Sequence, residues 1–142
     1  MAEVVQWVFE QETLSFRALT ADGAGSRVSD WPALLWEVFS RPSGVAVLEI
    51  LVASRSDAEL AALTTPMQST IERLGAANFL HRADATARDM ALIRLVVWAI
   101  RGMTMGRAFI DGPGEMDDAI ALLSRIIERA APAGTFEELK AV

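Results

Sequence analysis

From Asp84 to Phe109 the chain reads as one long helical segment. The same three- and four-residue spacing of apolar side chains recurs along most of the sequence. Runs that alternate apolar and polar residues between hairpin turns, the mark of half-buried strands, are missing. A chain patterned this way buries its apolar stripes by laying helix on helix. The expected fold is therefore all-α, a single bundle of about six or seven helices over residues 1–142.

Local signals place the helices. Residues 3–19 carry Val5, Phe9, Phe16 and Leu19 on one face and Glu10, Gln11 and Arg17 on another. Residues 20–29 are rich in Gly, Ser and Asp and read as a loop, with Asp22-Gly23 as a stop. Asp30 offers a cap and Pro32 a first-turn proline for a helix holding Leu34, Leu35, Trp36, Val38 and Phe39. Pro42 and Gly44 break it. Residues 43–55 follow as a helix that is apolar round most of its circumference and so is expected to lie centrally. Ser56-Asp57-Ala58-Glu59 predicts a capping box, with Ser56 capping an amide and Glu59 reaching back. Leu60, Leu63, Met67, Ile71 and Leu74 mark the face of the next helix, which Pro66 is predicted to kink and Gly75 to end. After Asp111-Gly112-Pro113-Gly114 comes a final amphipathic helix with Met116, Ile120, Leu123, Ile126 and Ile127. Its early acids and late arginines suit the helix dipole. Thr135-Phe136-Glu137-Glu138 predicts a second capping box, opening a short tail helix.

Composition removes several kinds of function. With no cysteine, disulfides, thiolate metal sites and cysteine nucleophiles are excluded, and His81 is the only histidine. A net charge of −6 repels phosphate backbones, so this segment alone is not expected to contact nucleic acid. The most apolar stretch, Met90 to Ile100, is far shorter than the ~20 residues of a membrane span, and Met1-Ala2-Glu3 does not open a signal peptide. A soluble, cytoplasmic protein is expected. Carboxylate pairs such as Asp117/Asp118 and Glu137/Glu138 fall on polar faces or helix starts. Phosphate-binding glycine loops, metal-spaced clusters and nucleophile elbows are absent from the sequence. No catalytic residue, cofactor or metal is expected, and the chain reads as a non-enzyme. Its 52% hydrophobic content exceeds the usual ~45–50%, which suggests apolar surface for a subunit interface or a lined pocket.

Two constellations carry that surplus. Gly102 and Gly106 share a helical face with Trp98, and each glycine in a helix interior costs about 1 kcal/mol relative to alanine. The face is a seam for close helix approach, either within the subunit or across a twofold dimer. The dimer is preferred because closed twofold dimers dominate soluble oligomers. Ile120, Leu123 and Ile127 on the final helix are the natural second interface element. The other constellation is Trp36, Phe39, Met67, Met90, Trp98, Met103 and Met105, flexible Met beside rigid aromatics, with Gln68, Arg94 and Thr104 as polar groups among them. Taken singly these are core residues; as a set beside Pro66 they hint at a cavity. Arg94 is expected to reach the surface or to pair with Glu49 or Asp89. His81 is expected to be an ordinary loop residue.

In this order the pieces resemble the C-terminal regulatory domain of TetR-family transcriptional regulators. The resemblance rests on Arg41-Pro42 through Ser56-Asp57-Ala58-Glu59-Leu60, and on Leu95-Val96-Val97-Trp98-Ala99-Ile100-Arg101-Gly102-Met103 with the helix from Glu115 to Arg129. It implies that the last two long helices, about 86–109 and 115–131, form a four-helix interface across a twofold axis. It also implies an effector pocket among the preceding helices. Members of that family begin with a basic helix-turn-helix region, which these residues lack; Val4 to Leu19 would match the helix that connects such a head. The chain is then either a fragment of a longer repressor or a headless relative. The expected function is sensing of a small apolar effector together with homodimerisation. Trp36, Phe39, Leu51, Met67, Ile71, Arg94 and Trp98 are the candidate lining, and Gly102, Gly106, Ile120, Leu123 and Ile127 the candidate interface. The alternative is an interaction module without a ligand that dimerises with an intact regulator and sequesters it.

Overall fold

Among the described residues the helical periodicity is realised as seven α-helices: α1 Ala2–Thr20, α2 Trp31–Phe39, α3 Pro42–Ala53, α4 Ala58–Leu80, α5 Ala87–Gly106, α6 Glu115–Ala130 and α7 Phe136–Lys140. A 3-10 turn, Val28–Asp30, leads into α2. The computed structural model describes residues 1–142 apart from Asp22, Ala24, Arg82, Ala83, Asp111 and Pro113, and no strand occurs among the described residues. The stops read at Asp22-Gly23 and Asp111-Gly112-Pro113 thus involve residues outside those described.

The helix ends follow capping chemistry, with some shifts from the expected positions. The cap of α4 is Asp57, whose carboxylate accepts from the Leu60 amide at 2.9 Å. Ser56, the expected cap, instead donates to the Ala53 carbonyl. The carboxylate is the stronger acceptor, and the αR turn closing α3 occupies the serine. Asp30 makes no side-chain cap and belongs to the 3-10 turn; α2 starts at Trp31, with Pro32 in its first turn. Pro42 likewise opens α3. Helix α5 begins on a full box that sequence reading passed over: Thr86 accepts from the Asp89 amide while Asp89 accepts from the Thr86 amide. Before α7, Thr135 caps Glu138, but the Glu138 carboxylate accepts from Ala133. Helix α4 runs through both Pro66 and Gly75 and stops at His81, in the left-handed region at φ 52°.

α2, not α3, is central. Leu35, Val38 and Phe39 of α2 are buried where it meets α1, α5 and α6, while α3 packs mainly on α1, buries only Gly44, Val47 and Leu48 and leaves Val52 exposed. The sharp turn from α2 to α3 depends on Gly44. A Cβ there would lie 2.6 Å from both the Phe39 Cα and the Val38 carbonyl oxygen.

Two apolar clusters result. The larger joins α2, α5, α6 and α7 to Phe79 of α4; Trp31 packs on Phe79 and stacks on Phe136. The smaller is Val5, Val8 and Phe9 of α1 with Val47 of α3. Each buried aliphatic or aromatic side chain in them contributes roughly 1.5–3 kcal/mol. α6 is sharply amphipathic, with Ile120 and Ile127 buried and Asp117, Asp118 and Arg129 outward. None of the described helices is long and apolar enough to cross a membrane.

Candidate ligand-binding cavity

The stripe on α1 runs Val5, Phe9, Glu12, Phe16, in strict helical register, so a carboxylate falls where the pattern calls for an apolar residue. Glu12 is 2% exposed. It sits between Phe9 of the smaller cluster and Phe16, which packs on the larger. Its partner is Arg101 of α5, 1% exposed, whose Nη2 donates to Glu12 Oε1 at 2.5 Å. The Arg101 guanidinium also lies over the Phe39 ring, 4.1 Å from its centroid. Burial pushes the Glu12 carboxyl up from its ordinary value, and the charge and hydrogen bond of Arg101 offset this only in part.

These two side chains line a cavity of ≈ 300 Å³ bounded by α1, α2, α4 and α5. Its apolar wall comes from Phe16, Leu35, Val38, Phe39, Ile71, Phe79, Ile93 and Val97. Phe16 meets Phe79 edge-on at 5.2 Å, which fixes one side of the wall. Glu12 Oε2, Arg101 Nε and Nη1, and Gln68 Oε1 are buried and have no protein partner. Towards the outside, Arg94 lies seven residues before Arg101 on the same face of α5, about 10 Å along the axis. Its Nη2 and Nε both donate to Glu72 Oε2 of α4, at 2.8 and 3.1 Å, pinning α4 to α5 beside the cavity. A shallower groove of ≈ 550 Å³ lies between α1 and α4 and contains Pro66 and Met67; Thr13, Arg17, Ile71 and Leu74 are common to both spaces.

The expected lining residues divide. Phe39, Ile71 and Arg94 are in the cavity wall, and Met67 is in the outer groove. Leu51 packs on the smaller cluster. Trp36 faces away: its Nε1 donates to Asp117 Oδ1 at 2.8 Å and ties α2 to α6. Trp98 is on the outer face of α5, 43% exposed. Arg94 reaches the surface, its side chain 55% exposed, and pairs there with Glu72 rather than with Glu49 or Asp89; Asp89 is held by Lys140 at 2.8 Å. Hydrogen bonds from Lys140 and from the Thr86 amide hold the Asp89 carboxyl far below its ordinary range. Thr104 is buried and donates to the Ile100 carbonyl of its own helix. Sequence reading therefore missed Glu12 and Arg101. The legible signal was a charge standing in the register of each apolar stripe, at Glu12 after Val5 and Phe9 and at Arg101 after Ile93 and Val97.

The expected interface residues divide too. Ile120 and Ile127, 4% and 5% exposed, are core residues of the subunit, and Leu123 packs on the same core. The apolar residues that α6 shows outward are Leu122 and Ile126. Gly102 is exposed, and a Cβ there would meet nothing within 4 Å, so no neighbour inside the subunit requires a glycine. Gly106 abuts Met116, whose Cε would lie 3.3 Å from an added Cβ. Around Gly102, the exposed residues Ala91, Leu95, Trp98, Gly102 and Met105 recur at alternating intervals of four and three. Among the described residues, no group of three acidic or histidine side chains is placed to hold a metal ion.

Comparison with protein-family models, with curated proteins and with solved structures finds no match to this chain.

Proposed function

We propose that the chain is a non-enzymatic, cytoplasmic ligand-sensing and dimerisation domain of the kind found in TetR-like regulators. The observation that carries the reading is the cavity: largely apolar, walled by four helices and furnished with a few buried polar groups. This is the usual construction of a small-molecule site. In this reading an effector seated among α1, α2, α4 and α5 changes how α1 lies against α4 and α5. It shifts the balance between two helix arrangements only to the extent that it binds one of them better.

The homodimer is assigned to the outer face of α5, with Leu122 and Ile126 of α6 as further contacts. A stripe with four-three spacing suits knobs-into-holes packing, and Gly102 at its middle admits a close crossing. Leu95 at 67% and Met105 at 44% exposure are large apolar side chains that a second copy would cover. The interaction-module reading keeps support from a second exposed row, Val4, Trp7 and Leu14 on α1, which the cavity does not use.

Native mass spectrometry of the purified chain tests both. A dimer carrying extra small-molecule mass is expected. A dimer that takes up no small molecule from a panel of apolar compounds would leave the sequestering module as the better reading. A monomer at micromolar concentration would remove the α5 interface.

A further inference from the structure

The charged side chains that line the cavity do not balance. Three arginines, Arg17, Arg94 and Arg101, stand against two glutamates, Glu12 and Glu72, in a chain whose net charge is −6. Arg94 is paired with Glu72 and Arg101 with Glu12. The cation left over is Arg17 of α1. It is exposed although it lines the cavity, and so stands at the rim. Among the described residues its guanidinium has no hydrogen-bond or ion-pair partner. On its own helix face the neighbouring positions, Thr13, Leu14, Thr20 and Ala21, carry no carboxylate. Burial raises the Glu12 carboxyl, and a proton taken up there would only add to the positive excess.

The same residue marks the way in. The α4–α5 side of the cavity is tied by Arg94 and Glu72, and its α1–α5 side by Arg101 and Glu12. Between α1 and α4 the wall includes Thr13, Arg17, Ile71 and Leu74, the four residues shared with the outer groove. Among the described residues no hydrogen bond or ion pair joins α1 to α4 at these four. The hydrogen bond between the two helices, Asn78 Nδ2 to Thr20 Oγ1 at 3.1 Å, lies near their C-terminal ends. A molecule entering through this seam breaks no ion pair.

We infer that the ligand is an anionic amphiphile, an apolar chain ending in a carboxylate, with the chain among Phe16, Ile71 and Phe79 and the carboxylate on Arg17 at the α1–α4 mouth. A guanidinium takes a carboxylate through two parallel N–H donors. The tail removed from water supplies most of the affinity. An uncharged head leaves Arg17 to the solvent, and an ammonium head is repelled by it. Glu10, the acid of the outer groove, accepts from Gln6 and lies about 10 Å from Arg17 along α1, which keeps the head at the Arg17 end. This rests on the cavity being a ligand site, as proposed above.

The test is calorimetric titration of the full chain at about neutral pH and low salt with octanoate, octan-1-ol and octylammonium, which share a tail and differ in the head. Octanoate is expected to bind about five-fold tighter than octan-1-ol, the upper range for one ion pair at a surface, and octylammonium weakest. Equal or tighter binding of octan-1-ol or octylammonium overturns the head-group inference and leaves the cavity reading standing. Binding of none of the three removes the cavity reading, and the inference with it. In Arg17→Gln octanoate is expected to fall to the level of octan-1-ol, whose own affinity stays unchanged. A variant that keeps the five-fold preference overturns the assignment to Arg17. The salt dependence of the wild-type chain is a second measurement that needs no variant. The preference for octanoate should shrink towards one-fold at about 0.5 M salt, because a rim charge is screened; a preference that persists there also overturns the placement of the head at Arg17.

Discussion

Removing one member of the Glu12–Arg101 pair should be far more damaging than removing both. In Arg101→Met the thioether chain fills much of the space of the arginine stem, while Glu12, 2% exposed in the wild type, loses the partner of its ion pair. Breaking a buried pair in this way costs about 3–5 kcal/mol. For a chain of this length each kcal/mol moves Tm by roughly 3 °C, so a drop of about 9–15 °C is expected near neutral pH. The reverse variant, Glu12→Leu, should cost a similar amount, since it leaves a guanidinium that cannot shed its charge. The double variant Glu12→Leu/Arg101→Met replaces the pair with apolar groups of similar volume and should return to within about 1 kcal/mol of wild type, or exceed it.

The two single variants should also differ with pH. The Glu12 carboxyl is raised above its ordinary 4.5 in the folded chain, so its contribution to stability is fully present below pH 4.5 and is lost as pH rises through the folded value. Without Arg101 nothing opposes that rise. Arg101→Met should therefore recover stability on acidification, by at most about 1.4 kcal/mol per pH unit, whereas Glu12→Leu should not. Urea unfolding followed by circular dichroism, at about pH 5 and about pH 7.5, measures all four proteins. Single-variant costs below about 1 kcal/mol would refute the reasoning, as would a double variant whose cost is the sum of the two.

Other consequences are direct. Gly44→Ala puts a methyl group 2.6 Å from the Phe39 backbone and should destabilise the chain by about 1–3 kcal/mol in the same urea assay; a neutral result would mean that the α2–α3 turn yields freely. Thr86→Ala removes the capping box of α5 and should cost about 1 kcal/mol, with loss of helical signal in circular dichroism at intermediate urea. Asp89 titrates below its ordinary 3.8, so its stabilising effect is present above that pH and fades as pH falls towards the folded value; Lys140→Met should flatten this acid limb. Leu95→Glu, on the outer face of α5, should convert a dimer to a monomer in sedimentation while leaving the unfolding of the subunit within about 0.5 kcal/mol; an unchanged dimer would place the interface elsewhere.

Helix type, number and approximate limits were legible because helices are local. Each apolar stripe declares itself over a few turns, and caps such as Thr135 act within three residues. Phe39, Ile71 and Arg94 were legible as cavity residues because aromatic and aliphatic side chains beside a polar one are what such walls contain. What only the tertiary arrangement decided was pairing. Arg94 sits in the most apolar run of the sequence yet reaches Glu72, because neighbours one residue away in sequence point to other faces of a helix. Trp36 and Trp98 are as apolar as any wall residue, but one is bonded to α6 and the other faces outward. Ile120 and Ile127 carry the right periodicity for an interface, and the same periodicity serves a core. Glu12 and Arg101 are 89 positions apart along the chain. Their charges become compatible with burial only when α1 and α5 meet across the cavity, because a buried charge is tolerated by a partner in space and not by any property of its own helix.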